Sequence, residues 1–249
     1  MSGHSKWHNI KIRKQAQDKH KSKIFGKLSR EIITAAREGG GDPDSNARLR
    51  TALDKARQSG MPQDNVKRAI QRGTGDTGGA AYESAVYEGY GPGGVAILVD
   101  VLTDNRNRVV GELRSVFSRN GGNLAESNAV AWLFERKGIV LVSTEAASED
   151  KVLEIALEGG AEDMQTDESS FEIRTDPGDL EPVRTALEAA GIAYESADVA
   201  MIPQTRVTLG EKEAQQVLRL MDALEDLDDV QQVHANFDIP DQIMEAVAA

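Results

Sequence analysis

One stretch of the chain, residues 139–203, constrains the fold more than any other, because strand and helix patterns alternate along it. The patterns predict a strand at 139–142, a helix capped by Ser148 that ends at Leu157, strands at about 161–167 and 171–174, a helix at 179–190 and a strand at about 194–202. Glycine follows each helix, at Gly159 and Gly191. The order βαββαβ is that of a complete ferredoxin-like unit.

The C-terminal residues repeat a strand, a helix and a strand, and these elements find no partners within residues 139–203. The two strands lie at 206–209 and 230–237, and between them apolar residues recur at helical spacing from Ala214 to Leu224. A strand, a helix and a strand at 95–134 are the natural mates. Together the two groups can close a sheet that neither can close alone.

We therefore predict an α+β fold of three domains. The N-terminal domain, residues 1–79, is all-helical and basic. Residues 80–135 plus 204–249 form a discontinuous ferredoxin-like α/β sandwich, and residues 136–203 form a second ferredoxin-like domain inserted into it. Three consecutive domains are the alternative, which is less favourable because it leaves strands that cannot close a sheet.

Glycine-rich stretches at 39–41 and 73–79 divide the helical patterns of the N-terminal domain. Helices are predicted at 22–37, at 46–59 with Gly60 as its stop, and at 62–73 with Pro62 in its first turn. The Gly60–Pro62 turn also fits a helix-turn-helix motif, although many small helical domains have such corners.

Charge is distributed unevenly along the chain. The whole chain has a net charge of −12, yet residues 1–80 hold 17 Lys and Arg against 8 Asp and Glu, a net of +9, so the remainder carries −21. The bias is steepest in residues 1–38, where ten basic residues face three acidic ones. A basic head on an acidic body indicates a polyanionic partner that the head binds.

The first predicted helix separates its charges from its core residues. On a helical projection Lys27, Arg30 and Arg37 fall within about 40° of Lys23. Five apolar residues fall between about 100° and 200°, namely Ile24, Phe25, Leu28, Ile32 and Ala35. The alternative is an ordinary solvated face, but such a face normally alternates acidic with basic residues. Here only two acids flank the stripe, so we favour phosphate binding.

We predict contacts with nucleic acid for the cations of this head and for one aromatic residue. These residues are Lys6, Trp7, Lys11, Arg13, Lys14, Lys19, Lys23, Lys27, Arg30 and Arg37. Trp7 is explained equally well by stacking on a base and by anchoring a core. The segment before the first helix has a poor core pattern, and we expect it to order on contact.

No motif points to catalysis. The chain has no cysteine, which excludes thiolate ligands and thiol nucleophiles, and its four histidines are not spaced as on a zinc-binding helix. The acidic run from Glu225 to Asp229 lacks the spacing of a calcium loop and is interpreted as a solvated turn. We expect no enzyme activity, no metal and no cofactor, and, because no signal peptide or membrane span is visible, a cytoplasmic location.

Residues 89–94 satisfy the G-x-G-x-x-G pattern of dinucleotide sites, but the strand pattern at 95–99 follows where such a site needs a helix. A tight turn between two strands explains the glycines. An exposed tip could also let backbone approach RNA closely. The possible loop contacts are Tyr90, Gly91, Pro92 and Gly93.

Arg106 and Arg108 stand in the first turn of a helix capped by Asp104 or Asn105. Their charges oppose the helix dipole there, so capping does not explain them. We expect them to bind either a phosphate or an acidic neighbour.

Three motifs carry a resemblance to a known family. They are Gly3–Trp7 with Asn9-Ile10; Gly60–Pro62 with Asn65 and Arg68-Ala69-Ile70; and Tyr87–Gly94 continuing to Thr103–Arg108. On these motifs the chain resembles the YebC family over essentially its full length. The resemblance implies an all-helical first domain and two ferredoxin-like domains around a central cavity. One departure is Asn128-Ala129, where relatives often have Gly-Ser or Gly-Cys; Asn can adopt glycine's left-handed backbone.

The resemblance also implies a function in gene expression. Similar proteins are described as probable transcriptional regulators that bind DNA, mitochondrial relatives as translational activators, and bacterial members as factors for ribosomes stalled at proline-rich sequences. We expect nucleic acid, DNA or ribosomal RNA, as the partner, with the ribosome as a further candidate and no membrane contact. The alternative from another class is a protein-interaction scaffold whose basic head packs against its own acidic body.

Overall fold

The computed structural model describes residues 18–75, 81–167, 169–240 and Ile243. Its helices are α1 (Asp18–Gly39), α2 (Ala47–Gln58), α3 (Gln63–Thr74), α4 (Arg106–Arg119), α5 (Glu149–Glu158), α6 (Leu180–Ala189) and α7 (Glu211–Glu225). Its strands are β1 (Glu83–Tyr90), β2 (Ala96–Thr103), β3 (Asn123–Leu124), β4 (Phe134–Ser143), β5 (Ala161–Thr166), β6 (Ser170–Thr175), β7 (Ser196–Pro203), β8 (Val207–Thr208), β9 (Val230–Ala235) and β10 (Phe237–Asp238).

Helices α1, α2 and α3 pack around their own apolar core. The buried residues of this core include Leu28, Ile32, Ala35, Leu49, Ala52, Ala56, Met61, Val66 and Ala69. Buried Asn46 joins the first two helices, because its side chain accepts from the Leu49 N–H at 3.0 Å and donates to the Ala35 carbonyl at 2.8 Å. Gly73 lets α3 approach α1 closely: a Cβ there would lie 2.6 Å from the Ile33 carbonyl oxygen.

A four-stranded antiparallel sheet in the order β3-β1-β2-β9 forms the middle of the molecule. Three of its strands precede residue 134, and β9 comes from the C-terminal segment. Helices α4 and α7 pack on one face over a core that includes Val99, Leu113, Phe117 and Met221. The edge strand β9 therefore completes the sheet that the 95–134 elements leave open. The prediction is wrong for the strand at 206–209: β8 does not join this sheet but pairs in parallel with β10 in a separate two-stranded sheet.

A second four-stranded sheet, in the order β5-β6-β4-β7, lies between these two groups in the sequence. All its neighbouring strands are antiparallel, and α5 and α6 cover one face over Val140, Ile173, Val183 and Leu187. The predicted α+β class, with an all-helical N-terminal domain and two ferredoxin-like domains, is confirmed. The exact domain boundaries stay a prediction.

The turn at Asn128 has the left-handed backbone that its sequence suggested, with φ of 67°. Buried Glu88 holds this turn against the sheet by accepting three backbone N–H groups, from Asn128 at 2.6 Å, Val130 at 2.7 Å and Ala131 at 2.8 Å. Asn128 thus adopts the left-handed backbone that glycine adopts most readily.

Two properties of the described residues bear on function. No helix among them is both long and apolar enough to cross a membrane. Within the same residues, no three His, Asp or Glu side chains come together as the ligands of a metal ion would.

Candidate nucleic-acid interface

Half of the predicted nucleic-acid contacts lie outside what the structure describes. Lys6, Trp7, Lys11, Arg13 and Lys14 fall in residues 1–17. Lys19 lies on α1, which begins at Asp18, but its side chain is not described. The role of these residues stays a prediction.

Three cations of the predicted stripe lie against the acidic turn, defined as Glu225–Asp229. These three, Lys23, Lys27 and Arg30, are called the basic stripe of α1 below; the fourth, Arg37, is exposed in the last turn of α1. Lys23 Nζ contacts Asp226 Oδ1 at 2.8 Å, and Lys27 Nζ donates to the Glu225 carbonyl oxygen at 2.6 Å. This carbonyl belongs to the last residue of α7, where helix carbonyls lack intrahelical partners and attract cations. Arg30 donates to the Asp228 carbonyl and lies 3.7 Å from Asp229 Oδ1.

Asp229 is the centre of this contact. Its Oδ2 accepts from Thr103 Oγ1 at 2.8 Å and from Arg108 Nη2 at 2.6 Å, while Arg30 approaches its Oδ1. Asp229 is only 3% exposed, so the expectation of a solvated acidic turn is wrong for this residue. The cause is non-local, because the cations that neutralise Asp229 are Arg108 and Arg30, which come from distant parts of the sequence.

Arg106 and Arg108 have acidic neighbours. Arg106 Nε donates to Glu83 Oε2 at 2.7 Å, and Arg108 bridges Asp104 at 2.8 Å and Asp229. The hydrogen bonds that Arg108 donates to Asp229 and to Asp104, the one to Asp229 contributing most, raise the pKa of Arg108. The structure thus shows the second of the two explanations that the sequence left open for these arginines.

Helix α2 contacts the inserted domain. Lys55 Nζ lies 3.1 Å from Asp198 Oδ1 on β7 and 3.7 Å from Glu31 Oε1 on α1. Burial lowers the pKa of Lys55, but the negative charges of Asp198 and Glu31 and the hydrogen bonds that Lys55 donates to them outweigh burial, so the pKa of Lys55 is raised. Arg184 on α6 lies 3.7 Å from Asp54 on α2. Helices α1 and α2 therefore both carry ion pairs to other domains.

The glycine-rich segment is a hairpin turn between β1 and β2. Gly91 and Pro92 are buried, and the Tyr90 hydroxyl donates to the Ala129 carbonyl at 3.2 Å. Gly93 is exposed with φ of 73°, and a Cβ there would lie 2.9 Å from Leu209 Cδ2. The glycines allow close packing. Of the four predicted loop contacts that lie in this turn, only Gly93 is exposed.

Helix α3 presents cations that the sequence prediction did not include. Its exposed face, called the α3 face, consists of Asp64, Lys67, Arg68, Gln71 and Arg72. Across the described residues, no carboxylate lies within salt-bridge distance of its three cations. The helical projection that selected the α1 stripe would also have found this face, because Val66, Ala69 and Gly73 mark the opposite, buried side.

A shallow groove runs between the α3 face and α1. Its lining residues are Ser29, Ile33, Asn65, Arg68, Ala69 and Arg72. Arg68 is fixed at the rim, because its Nε donates to the Asp64 carbonyl at 3.2 Å and its Nη2 donates to Asn65 Oδ1. Ser29 donates to the Phe25 carbonyl at 2.7 Å. Two guanidinium groups therefore border a groove with an apolar floor, an arrangement suited to an anionic polymer.

Comparison with known proteins identifies the family. The model of the TACO1/YebC protein N-terminal domain matches residues 5–76, and the model of the TACO1/YebC second and third domain matches residues 82–237. The chain belongs to the TACO1/YebC family. The resemblance on the three sequence motifs is thereby confirmed.

Relatives within the TACO1/YebC family are similar over nearly their whole length. A probable transcriptional regulatory protein from Pelotomaculum thermopropionicum is 54% identical over 97% of this chain and 100% of its own. Another from Geobacter sulfurreducens is 53% identical over 98% of this chain and 99% of its own. The crystal structure of the conserved hypothetical protein Aq1575 from Aquifex aeolicus superposes with a TM-score of 0.82, at 48% identity, covering 90% of this chain and 93% of that one.

Proposed function

We propose that this TACO1/YebC protein is a regulator of gene expression that binds DNA through its basic, helical N-terminal domain. Its relatives are named probable transcriptional regulatory proteins, which supports a regulatory role. The charge distribution supports a polyanionic partner, because the basic residues concentrate in the first 80 residues of an acidic chain. We assign it no catalytic role.

The α3 face is the observation that carries the proposal. Most arginines and lysines of the described helical domain contact carboxylates or backbone carbonyls of the same molecule, as the basic stripe of α1 does. The α3 face holds three exposed cations without such carboxylate partners in the described part of the chain. A protein whose basic residues served only internal contacts would not need them.

A salt titration of the full chain tests the proposal. Binding to fluorescent duplex DNA is measured by anisotropy, and we expect the logarithm of affinity to fall with the logarithm of salt by about 0.9 for each phosphate contact. Binding that does not depend on salt, or no binding to any nucleic acid, would overturn it.

The alternative target is ribosomal RNA, with the protein acting on stalled or inefficient translation. The same titration with a structured ribosomal RNA fragment separates the two targets, since the tighter partner at physiological salt is the functional candidate. Crosslinking in cells followed by sequencing extends the comparison: promoter DNA supports transcription, whereas ribosomal RNA supports translation.

The interaction-scaffold hypothesis is favoured by one specific observation. It expects the basic head to pack against the acidic body, and the basic stripe of α1 contacts the acidic turn in this way. This contact explains part of the basic charge, but it involves α1 and not the α3 face. A scaffold without nucleic-acid binding would show no salt-dependent affinity in the titration above.

A further inference from the structure

We propose that the α3 face and the groove beside it form the phosphate-binding surface of the protein, and that the basic stripe of α1 is a domain-docking surface. The inference rests on the proposed function, because it assigns nucleic-acid binding to named residues. The ligand is the phosphodiester backbone, which Arg68 and Arg72 contact at the groove and Lys67 contacts further around the helix.

The first argument is availability. A cation already paired with a carboxylate must lose that partner before it can bind a phosphate, which reduces the net gain. Lys23 and Arg30 each have an acidic partner on another domain. Within the described residues, Arg72 has neither an ion pair nor a hydrogen bond, and Arg68 is bonded only to neutral oxygens.

The second argument is preorganisation. The bonds from Arg68 to the Asp64 carbonyl and to Asn65 hold its guanidinium in one place before any ligand arrives. Arg72 lies one turn further along α3, so the two Cβ atoms are about 6 Å apart on one side of the helix. Guanidinium groups bind phosphate oxygens in pairs of parallel hydrogen bonds. Two such groups in a row can follow successive phosphates of one strand.

The third argument is the chemistry of the groove. Asn65 accepts the bond from Arg68 through Oδ1, so its amide N–H groups remain to donate to a ligand oxygen. Ile33 and Ala69 form an apolar floor, which suits the non-polar edge of a sugar. Phosphate at the rim and sugar over the floor would place a strand along the groove between α1 and α3.

The fourth argument is position. Helices α1 and α2 carry the ion pairs to the acidic turn, to Asp198 and to Arg184. Helix α3 packs against α1, and its polar face is exposed. Nucleic acid can therefore reach the α3 face without breaking the contacts between domains.

The test replaces both groove arginines in the full chain, as the double variant Arg68→Gln/Arg72→Gln. Removing two phosphate contacts should lower the slope of log affinity against log salt by about 1.8 and reduce affinity by roughly sixtyfold at about 0.1 M salt. The matched control is Arg114→Gln/Arg119→Gln, which removes the same charge from exposed positions of α4 in the acidic body. The control should keep the wild-type slope.

Three results separate the possibilities. A reduced slope in the groove variant alone supports the site. Wild-type slopes in both variants, with binding retained, overturn the site while the proposed function stands. Absence of salt-dependent binding in the unaltered protein overturns both. Unfolding in urea accompanies each measurement, so that a misfolded variant is recognised. The variant Arg68→Lys/Arg72→Lys keeps both positive charges and should restore most of the slope.

Discussion

The basic stripe of α1 and the α3 face are two positively charged surfaces on the same small helical domain, and they differ in what they contact. The stripe meets the acidic turn, with Lys23 on Asp226 and Arg30 on Asp229. The α3 face has no carboxylate partner in the described residues. A count of charges along the sequence cannot distinguish the two, because the partners of the stripe lie about 200 residues away.

The comparison shows that a basic cluster in an acidic protein can have two origins. One cluster complements an acidic surface of the same molecule and fixes the arrangement of domains. The other is available to an external polyanion. Four variants test this division, and they are arranged below from the largest expected effect to the smallest.

Replacement of Asp229 should weaken docking most. Asp229→Ala leaves Arg30, Arg108 and Thr103 without their shared acceptor, and we expect the free energy of unfolding to fall by about 3 kcal/mol. The control is Asp228→Ala, because Arg30 contacts only the carbonyl of Asp228, and its cost should stay below about 0.5 kcal/mol. If urea unfolding showed that Asp229→Ala and Asp228→Ala lose the same free energy of unfolding, the central position of Asp229 would be contradicted.

A change at Gly73 should disturb the α3 face and spare the stripe. In Gly73→Ala the new Cβ would lie 2.6 Å from the Ile33 carbonyl oxygen and 2.7 Å from Ala36 Cβ, so α3 must move away from α1. We expect a loss of about 2 kcal/mol of stability and weaker nucleic-acid binding. Gly111→Ala on α4 is the control, since nothing lies within 4 Å of its Cβ, and it should be neutral or slightly stabilising. If the nucleic-acid affinity of Gly73→Ala were unchanged, the groove would not be the binding site.

Lys55 on α2 contacts the inserted domain, and the pH dependence of stability tests this contact. Lys55→Met should cost about 1 to 2 kcal/mol, because it removes the partner of Asp198 and Glu31. The folded-state pKa of Lys55 is raised, so its stabilising effect is complete below the unfolded-state pKa of about 10.4 and is lost as pH rises through the folded-state value. Urea unfolding from neutral to strongly alkaline pH should show the two proteins converging. Lys67→Met on the α3 face should leave stability unchanged, and a similar loss there would be unexpected.

The smallest effect is expected for the two lysines of the stripe. Lys23→Gln/Lys27→Gln should cost no more than about 0.5 kcal/mol of stability, since the Lys23–Asp226 pair is largely exposed. Its salt slope for nucleic acid should match that of the unaltered chain. A slope reduced by about 1.8 would assign phosphate contacts to the stripe instead.

Much of the fold follows from the sequence. Helical spacing and glycine stops placed α2 and α3 within one residue of their observed bounds, and the order of elements in 139–203 indicated the inserted sheet. Strand ends set by tertiary contact were predicted less accurately. Strand β4 begins at Phe134, well before the predicted strand at 139, because its residues 134–141 pair with β7. The spacing of apolar residues along one strand does not show how far the neighbouring strand extends.

The site was harder to predict than the fold. The sequence identified the basic N-terminal domain, but it selected the stripe with the most cations and passed over Arg68 and Arg72. Which cations are neutralised depends on the non-local contact between α1 and the turn after α7. Asp229 in the acidic turn, interpreted as solvated, is buried because Thr103, Arg108 and Arg30 contact it from distant parts of the sequence.

Lysine acetylation footprinting of the full chain, with and without nucleic acid, tests the division most directly, because each lysine reports separately by mass spectrometry. We predict that nucleic acid protects Lys67 on the α3 face and leaves the reactivity of Lys23 and Lys27 unchanged. Protection of Lys23 and Lys27 with Lys67 unchanged would contradict the account, since the stripe would then have left the acidic turn to bind the polymer.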